Sequence, residues 1–132
     1  DSVAFAYRRF PVLERSGADA VMVGRAHYGA PWASAAIAAA AAGDAAHGVP
    51  RTAAELADYV VAHYEDMLVL YGVESGVRQA RKHLGWYLDR HAPAVSEALR
   101  RAVMTSFEPA LVIASLREAF AASDCEPERM AA

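Results

Sequence analysis

The feature that most constrains this chain is an apolar run too short to fold by itself. Residues 20–23, Ala-Val-Met-Val, follow a turn-like Gly17-Ala18-Asp19 and stop at Gly24-Arg25. Four apolar residues, two of them valine, bounded by turn signals read as a buried strand. A lone strand leaves its backbone donors and acceptors unpaired, and partner strands are missing from the sequence. Residues 3–15 look helical around an interruption at Pro11, and helix followed by buried strand is half of a βαβ repeat. The chain is therefore expected to begin inside a domain.

Beyond Pro31 the pattern becomes helical. An alanine-rich segment runs to Gly43, a helix-stop residue, and residues 43–51 carry Gly48 and Pro50 as a linker would. Four amphipathic helices are expected after it. Thr52 with Glu55 three residues on is a capping box, and Leu56, Tyr59, Val60, His63, Met67 and Leu70 give the first helix an inward face until Tyr71-Gly72. The second spans about 75–91. Pro93 opens a third with Val95, Leu99, Ala102 and Val103 inward, and residues 106–109 open a fourth with Val112, Leu116, Ala119 and Phe120 inward. Short connections between such helices imply an antiparallel bundle.

Composition excludes several classes. The chain is 55% hydrophobic and 22% charged, so it can bury a core. The longest run without Lys, Arg, Asp or Glu, residues 26–43, is too interrupted by Gly29, Pro31 and small residues to span a membrane. No secretory leader pattern opens the chain, and the lone Cys125 cannot form an internal disulfide; a reducing cytoplasm is the simplest setting. His27 and His47 show no metal-ligand spacing. The net charge of −3 argues against a generic polyanion binder, yet it conceals an asymmetry. Residues 52–75 carry five acidic residues and no Lys or Arg, whereas residues 78–101 carry six basic residues against Asp89 and Glu97.

Two readings fit the Gly24-Arg25 stop. At the C-terminal face of an α/β barrel, a glycine lets backbone N–H groups approach a phosphate, and a following helix start and an arginine add positive charge. Alternatively Gly24 relieves a tight turn and Arg25 is solvated. The basic stripe of the second bundle helix is similarly open. Arg78, Arg81, Lys82 and Gly85 share a face, flanked by Trp86, while Val77, Leu84 and Leu88 form the core stripe. That face could neutralise successive phosphates, with Gly85 admitting a close backbone, or pair with Glu65 or Asp66 of the acidic helix. Trp86 and Tyr87 read better as core than as stacking groups, and His83 as structural.

The segment SGADAVMVGRAHYGAPW resembles the last barrel strand of the tRNA-dihydrouridine synthases, whose usual form is close to GADGVMIGRAAQGRPW, and GVRQARKHLGWYL resembles an ARKH-x-x-WY run in their helical domain. The resemblance implies a mostly α chain: residues 1–45 as the C-terminal end of an FMN-binding TIM barrel, residues 46–123 as an antiparallel four-helix bundle that binds tRNA, and residues 124–132 as a disordered tail. It implies an enzyme that reduces tRNA uridines with FMN and NADPH, Gly24 and Arg25 holding the FMN phosphate and Arg78, Arg81 and Lys82 contacting tRNA. It implies no metal, no membrane and no obligate protein partner. The family's catalytic cysteine is expected upstream of residue 1, Cys125 does not match it, and Ala30 stands where the family often has arginine. Another phosphate-binding barrel enzyme, or a non-catalytic helical interaction module, are the alternatives. Residues 1–132 alone are expected to show no uridine reduction and to bind FMN weakly or not at all; NADPH-dependent reduction by them would overturn this.

Overall fold

The computed structural model describes residues 15–19 and 22–124, in two compact units divided between Val49 and Pro50. In the first, a 3-10 turn at Arg25–His27 packs against helix α1 (Ala33–Ala42). Gly43 stops α1 as expected: at φ 72° it adopts the left-handed conformation and its N–H returns to the carbonyls of Ala39 and Ala40. The expected helix at 3–15 falls almost wholly outside the described residues, as do Ala20 and Val21. Met22 and Val23 are not in a strand, and Met22 is 86% exposed rather than buried. The physical reason is that a strand exists only against a neighbour, and none of the described residues forms one.

The second unit is the helical bundle: α2 (Ala53–Tyr71), α3 (Val73–His91), α4 (Glu97–Thr105) and α5 (Pro109–Asp124). The capping box forms. The Glu55 N–H donates to Thr52 Oγ1 at 3.1 Å, and Glu55 Oε2 accepts from the N–H groups of Thr52 and Arg51 at 3.3 and 2.7 Å. Helix α4 starts later than Pro93 suggested. Pro93 and Ala94 form a turn, and Ser96 caps the helix by accepting from the Leu99 N–H at 3.3 Å on its side-chain oxygen, an acceptor that proline lacks. Pro109 occupies the first position of α5, where its missing N–H is harmless.

Residue pairs fix the helix directions. Met67 and Leu68 meet Gly76, and further from the hairpin His63 meets His83 and Tyr87, so α2 and α3 run antiparallel. Arg81 reaches Thr105, Gly85 faces Met104 and Asp89 pairs with Arg100, so α3 and α4 are antiparallel too. An Arg117–Asp58 ion pair of 2.7 Å ties α5 back to α2. The core is built from Val60 and Tyr64, Val77, Leu84, Tyr87 and Leu88, Val103, and Val112, Leu116, Ala119 and Phe120. On α2 the buried face is Ala57, Val60, Val61, Tyr64 and Met67. Leu70, expected inward, is 73% exposed, because Val69, Leu70, Tyr71 and Val73 form a hairpin tip that little of the chain covers.

Two glycines of α3 set the helix spacing. A Cβ on Gly76 would lie 2.8 Å from the Met67 carbonyl oxygen and 2.9 Å from Leu68 Cα, both immovable backbone. On Gly85 it would meet only the flexible end of Met104, 3.3 Å away. Gly85 is buried by that contact, so the expectation that it admits an RNA backbone is corrected: it seats α4 against α3. Between α2 and α3 lies a ring cluster. The Tyr87 hydroxyl and His63 Nδ1 are 2.9 Å apart, the His63 and His83 rings are edge-to-face at 5.6 Å, and His83 in turn abuts Trp86 at 5.1 Å. Burial holds both imidazoles below their ordinary range; Asp66 opposes this at His63, while His63 and Lys82 add to it at His83. Tyr87 is pushed the other way by the same burial, so its hydroxyl keeps its proton.

Two outcomes are expected. Gly76→Ala should lower the stability of the bundle by about 1–3 kcal/mol in denaturant titration, as overpacking does, whereas Gly85→Ala should be near neutral because Met104 can move and alanine favours helix. For the histidines, the unfolded chain takes up protons near pH 6.5 while the folded chain resists them. Stability is therefore complete above that pH and declines as pH falls through the lowered folded values. Melting should drop between pH 7.5 and 5.5 by more in the wild type than in His83→Gln; an equal drop would contradict the assignment.

A cationic and aromatic face on α3, and the Gly24-Arg25 turn

The helical period places Arg78 and Lys82 on the outer side of α3, away from the buried Val77, Ala80, Leu84 and Leu88, and Arg81 on the flank bordering that buried stripe. The three cations do not share one environment. Arg78 is exposed and pairs with Glu74 one turn earlier at 3.1 Å. Exposed pairs of this spacing contribute roughly 0.3–0.5 kcal/mol, so Arg78 can exchange its partner cheaply. The expected alternative, pairing with Glu65 or Asp66 of the acidic helix, is not what Arg78 does.

Arg81 is half-buried. It donates from Nη2 to the Thr105 carbonyl at 3.1 Å, and its guanidinium carbon lies 4.6 Å from the centroid of the Phe107 ring. It thereby satisfies a carbonyl at the open C-terminal end of α4, where a cation is favoured. Its Nε is buried without a hydrogen-bond partner among the described residues, as is the hydroxyl of Tyr64 on α2. Arg81 thus has a structural duty that the basic-stripe reading did not contain. Lys82 is exposed, with Nζ 5.2 Å from the Trp86 ring and no carboxylate partner among the described residues. Arg100 is more committed, pairing with Asp89 at 2.7 Å, whereas Arg101 is as exposed as Arg78 and lies 3.7 Å from Glu97. Lys82 and Arg78 are the members of the stripe open to a phosphate.

The aromatic residues divide as well. Tyr87 is core, as expected, and its hydroxyl faces His63. Trp86 is only half-buried, between His83 and Lys82, and so is partly a surface residue. Phe107, in the three-residue connection between α4 and α5, is 53% exposed and has Arg81 over its ring and Arg78 at 5.9 Å. Sequence reasoning passed over Phe107. The available signal was a large aromatic in an otherwise polar interhelical link, Thr105-Ser106-Phe107-Glu108.

In the first unit Gly24 and Arg25 are both exposed. Among the described residues, a Cβ on Gly24 would meet nothing within 4 Å, so they leave its backbone open to approach, and Arg25 has no ion pair with any of them. The turn is braced from behind. The His27 N–H donates to the Gly24 carbonyl at 3.1 Å, its Nδ1 lies 3.3 Å from the same oxygen, and its Nε2 lies 2.8 Å from Ser34 Oγ on α1. Gly24 leads into a three-residue 3-10 turn rather than a helix, too short to add a macrodipole, so positive charge here comes from Arg25. Ala30, where the family often has arginine, is buried. The open backbone and the exposed guanidinium fit a phosphate group such as that of FMN. Cys125 lies outside the described residues. Among the described residues no group of His, Cys, Asp and Glu could hold a metal ion, and no helix is long and apolar enough to cross a membrane.

The Dihydrouridine synthase family model matches residues 10–123. Over 108 residues the chain is 46% identical to a probable tRNA-dihydrouridine synthase of Rhizobium leguminosarum bv. phaseoli and 47% identical to one of Rhodobacter capsulatus. Each alignment covers 82% of this chain and 32% of the relative. A tRNA-dihydrouridine synthase B of Xanthomonas axonopodis pv. citri is 41% identical over 87 residues, 61% of this chain and 24% of that protein. The chain spans about a third of the length of the first two relatives. On the match across both units, this chain belongs to the dihydrouridine synthase family.

Proposed function

We propose that this chain is the C-terminal portion of a flavin-dependent enzyme of the cytoplasm that reduces uridines of tRNA to dihydrouridine, with NADPH as the electron source. In this reading residues 1–45 end the catalytic barrel and residues 46–123 are the tRNA-binding bundle. The observation that carries it is the face of α3, in a chain of this family: Lys82 without a carboxylate partner among the described residues, Arg78 only weakly paired, and Trp86 and Phe107 beside them. Such interleaving of charge and planar rings suits RNA, which offers phosphates and accessible bases together.

Each residue then has a part. Gly24 and Arg25 hold the FMN phosphate, the glycine by leaving the backbone open and the arginine by its charge, while His27 and Ser34 keep the turn from shifting. FMN, when bound, supplies the hydride for the C5–C6 bond of uridine. A uridine inside folded tRNA must leave its stack to be reduced. Arg78 and Lys82 grip the RNA backbone during that extrusion, and Arg81 keeps the α3–α4 corner in register beneath them.

The test is a tRNA titration of the intact protein against Arg78→Ala/Lys82→Ala, with Arg81 left in place because its loss would disturb α4. The double variant should bind tRNA more weakly, and its slope of log affinity against log salt should fall by roughly 0.7–0.9 per phosphate contact removed. Dihydrouridine formation should fall with it while FMN content stays unchanged. Arg25→Ala should do the converse, lowering retained FMN and leaving the tRNA salt slope intact. Unchanged tRNA affinity and slope in the double variant would remove this face from the binding site.

A further inference from the structure

We propose that Phe107 is a stacking platform for an unpaired nucleobase of the bound RNA; this rests on the RNA-binding reading of α3. Phe107 is 53% exposed between two helices. Here it is held in place. Ser106 donates its N–H to the Ala102 carbonyl at 3.1 Å and accepts the Glu108 N–H on Oγ at 3.0 Å, which fixes the connection on both sides of the ring. Arg81, itself anchored on the Thr105 carbonyl, lies over the ring at 4.6 Å. An aromatic backed by a fixed guanidinium is preorganised, so little conformational freedom is lost when a second planar group adds to it.

The surroundings choose between kinds of occupant. An apolar protein segment covering Phe107 would have to strip water from Arg78 and Arg81 without replacing it. A nucleotide brings a π-face for the ring and an anion for Arg78 and, one turn along α3, for Lys82. The chemistry is that of an unpaired base with its phosphate, such as single-stranded loops of RNA present.

The experiment titrates the intact protein with a single-stranded oligouridylate 12-mer at two salt concentrations, comparing the wild type with Phe107→Leu, which keeps apolar bulk, and Phe107→Tyr, which keeps the ring. Phe107→Leu should weaken binding by roughly fivefold to a hundredfold, the range for losing one base stack, with the salt slope unchanged; Phe107→Tyr should bind like the wild type. Equal weakening in both variants, or affinity of Phe107→Leu within twofold of the wild type, overturns the platform. So does a reduced salt slope in Phe107→Leu, since the ring would then serve only to place the arginines. A wild type that binds neither the 12-mer nor tRNA through Arg78 and Lys82 overturns the RNA reading and this inference with it.

Discussion

Everything in the bundle depends on how closely α2 and α3 approach at their hairpin. One residue, Gly72 at φ 76°, separates the two helices, and Gly76 sits against the Met67 carbonyl where no side chain fits. That backbone-to-backbone contact sets both the spacing and the rotation of α3. With Gly76, Val77, Ala80 and Leu84 turned inward, the 3.6-residue period leaves Arg78 and Lys82 on the outer side. The position of the cationic face is thus a consequence of packing at the hairpin, within about two turns along the same helix.

The same rotation explains why neighbouring cations do different work. Arg81 falls at the edge of the α3–α4 seam, close enough to reach Thr105 and Phe107, and becomes part of the joint between the helices. Arg78 and Lys82 point further from the seam, one pairing with an exposed glutamate and the other lying over Trp86. A stripe that is uniform in sequence is therefore graded in the fold, from structural to available. The histidines between α2 and α3 extend the gradation inward, their charge disfavoured by burial and, at His83, also by His63 and Lys82.

Much of the bundle was legible from sequence because its signals are local. Thr52 and Glu55, Gly43, Pro109, and the inward Val112, Leu116, Ala119 and Phe120 each act through spacing within one helix. The features that stayed hidden depend on contacts between helices. Gly85 looked like a gap for RNA and is a seat for Met104; Gly76 gave no sign of its role; Leu70 kept the right period but lay at an uncovered tip. Phe107 drew no notice because its partners, Arg78 and Arg81, are more than twenty residues earlier. The strand at 20–23 was inferred from a short apolar run between turn signals; of its described half, Met22 is exposed, Val23 is half-buried and neither pairs with another described residue, since strand formation is decided by neighbours rather than by the segment itself. Family membership bears on what the residues left open and weighs against an unrelated phosphate-binding barrel.

The central claim is that RNA lies on the outer side of α3. Photocrosslinking of 4-thiouridine-substituted tRNA to the intact protein, with the attached peptides identified by mass spectrometry, tests it most directly. The account predicts adducts within residues 78–86 and at the connection 106–108, where Lys82 and Phe107 are exposed and Trp86 is half-buried. Adducts found only on other helices of the bundle, with residues 78–86 and 106–108 unmodified, would contradict it.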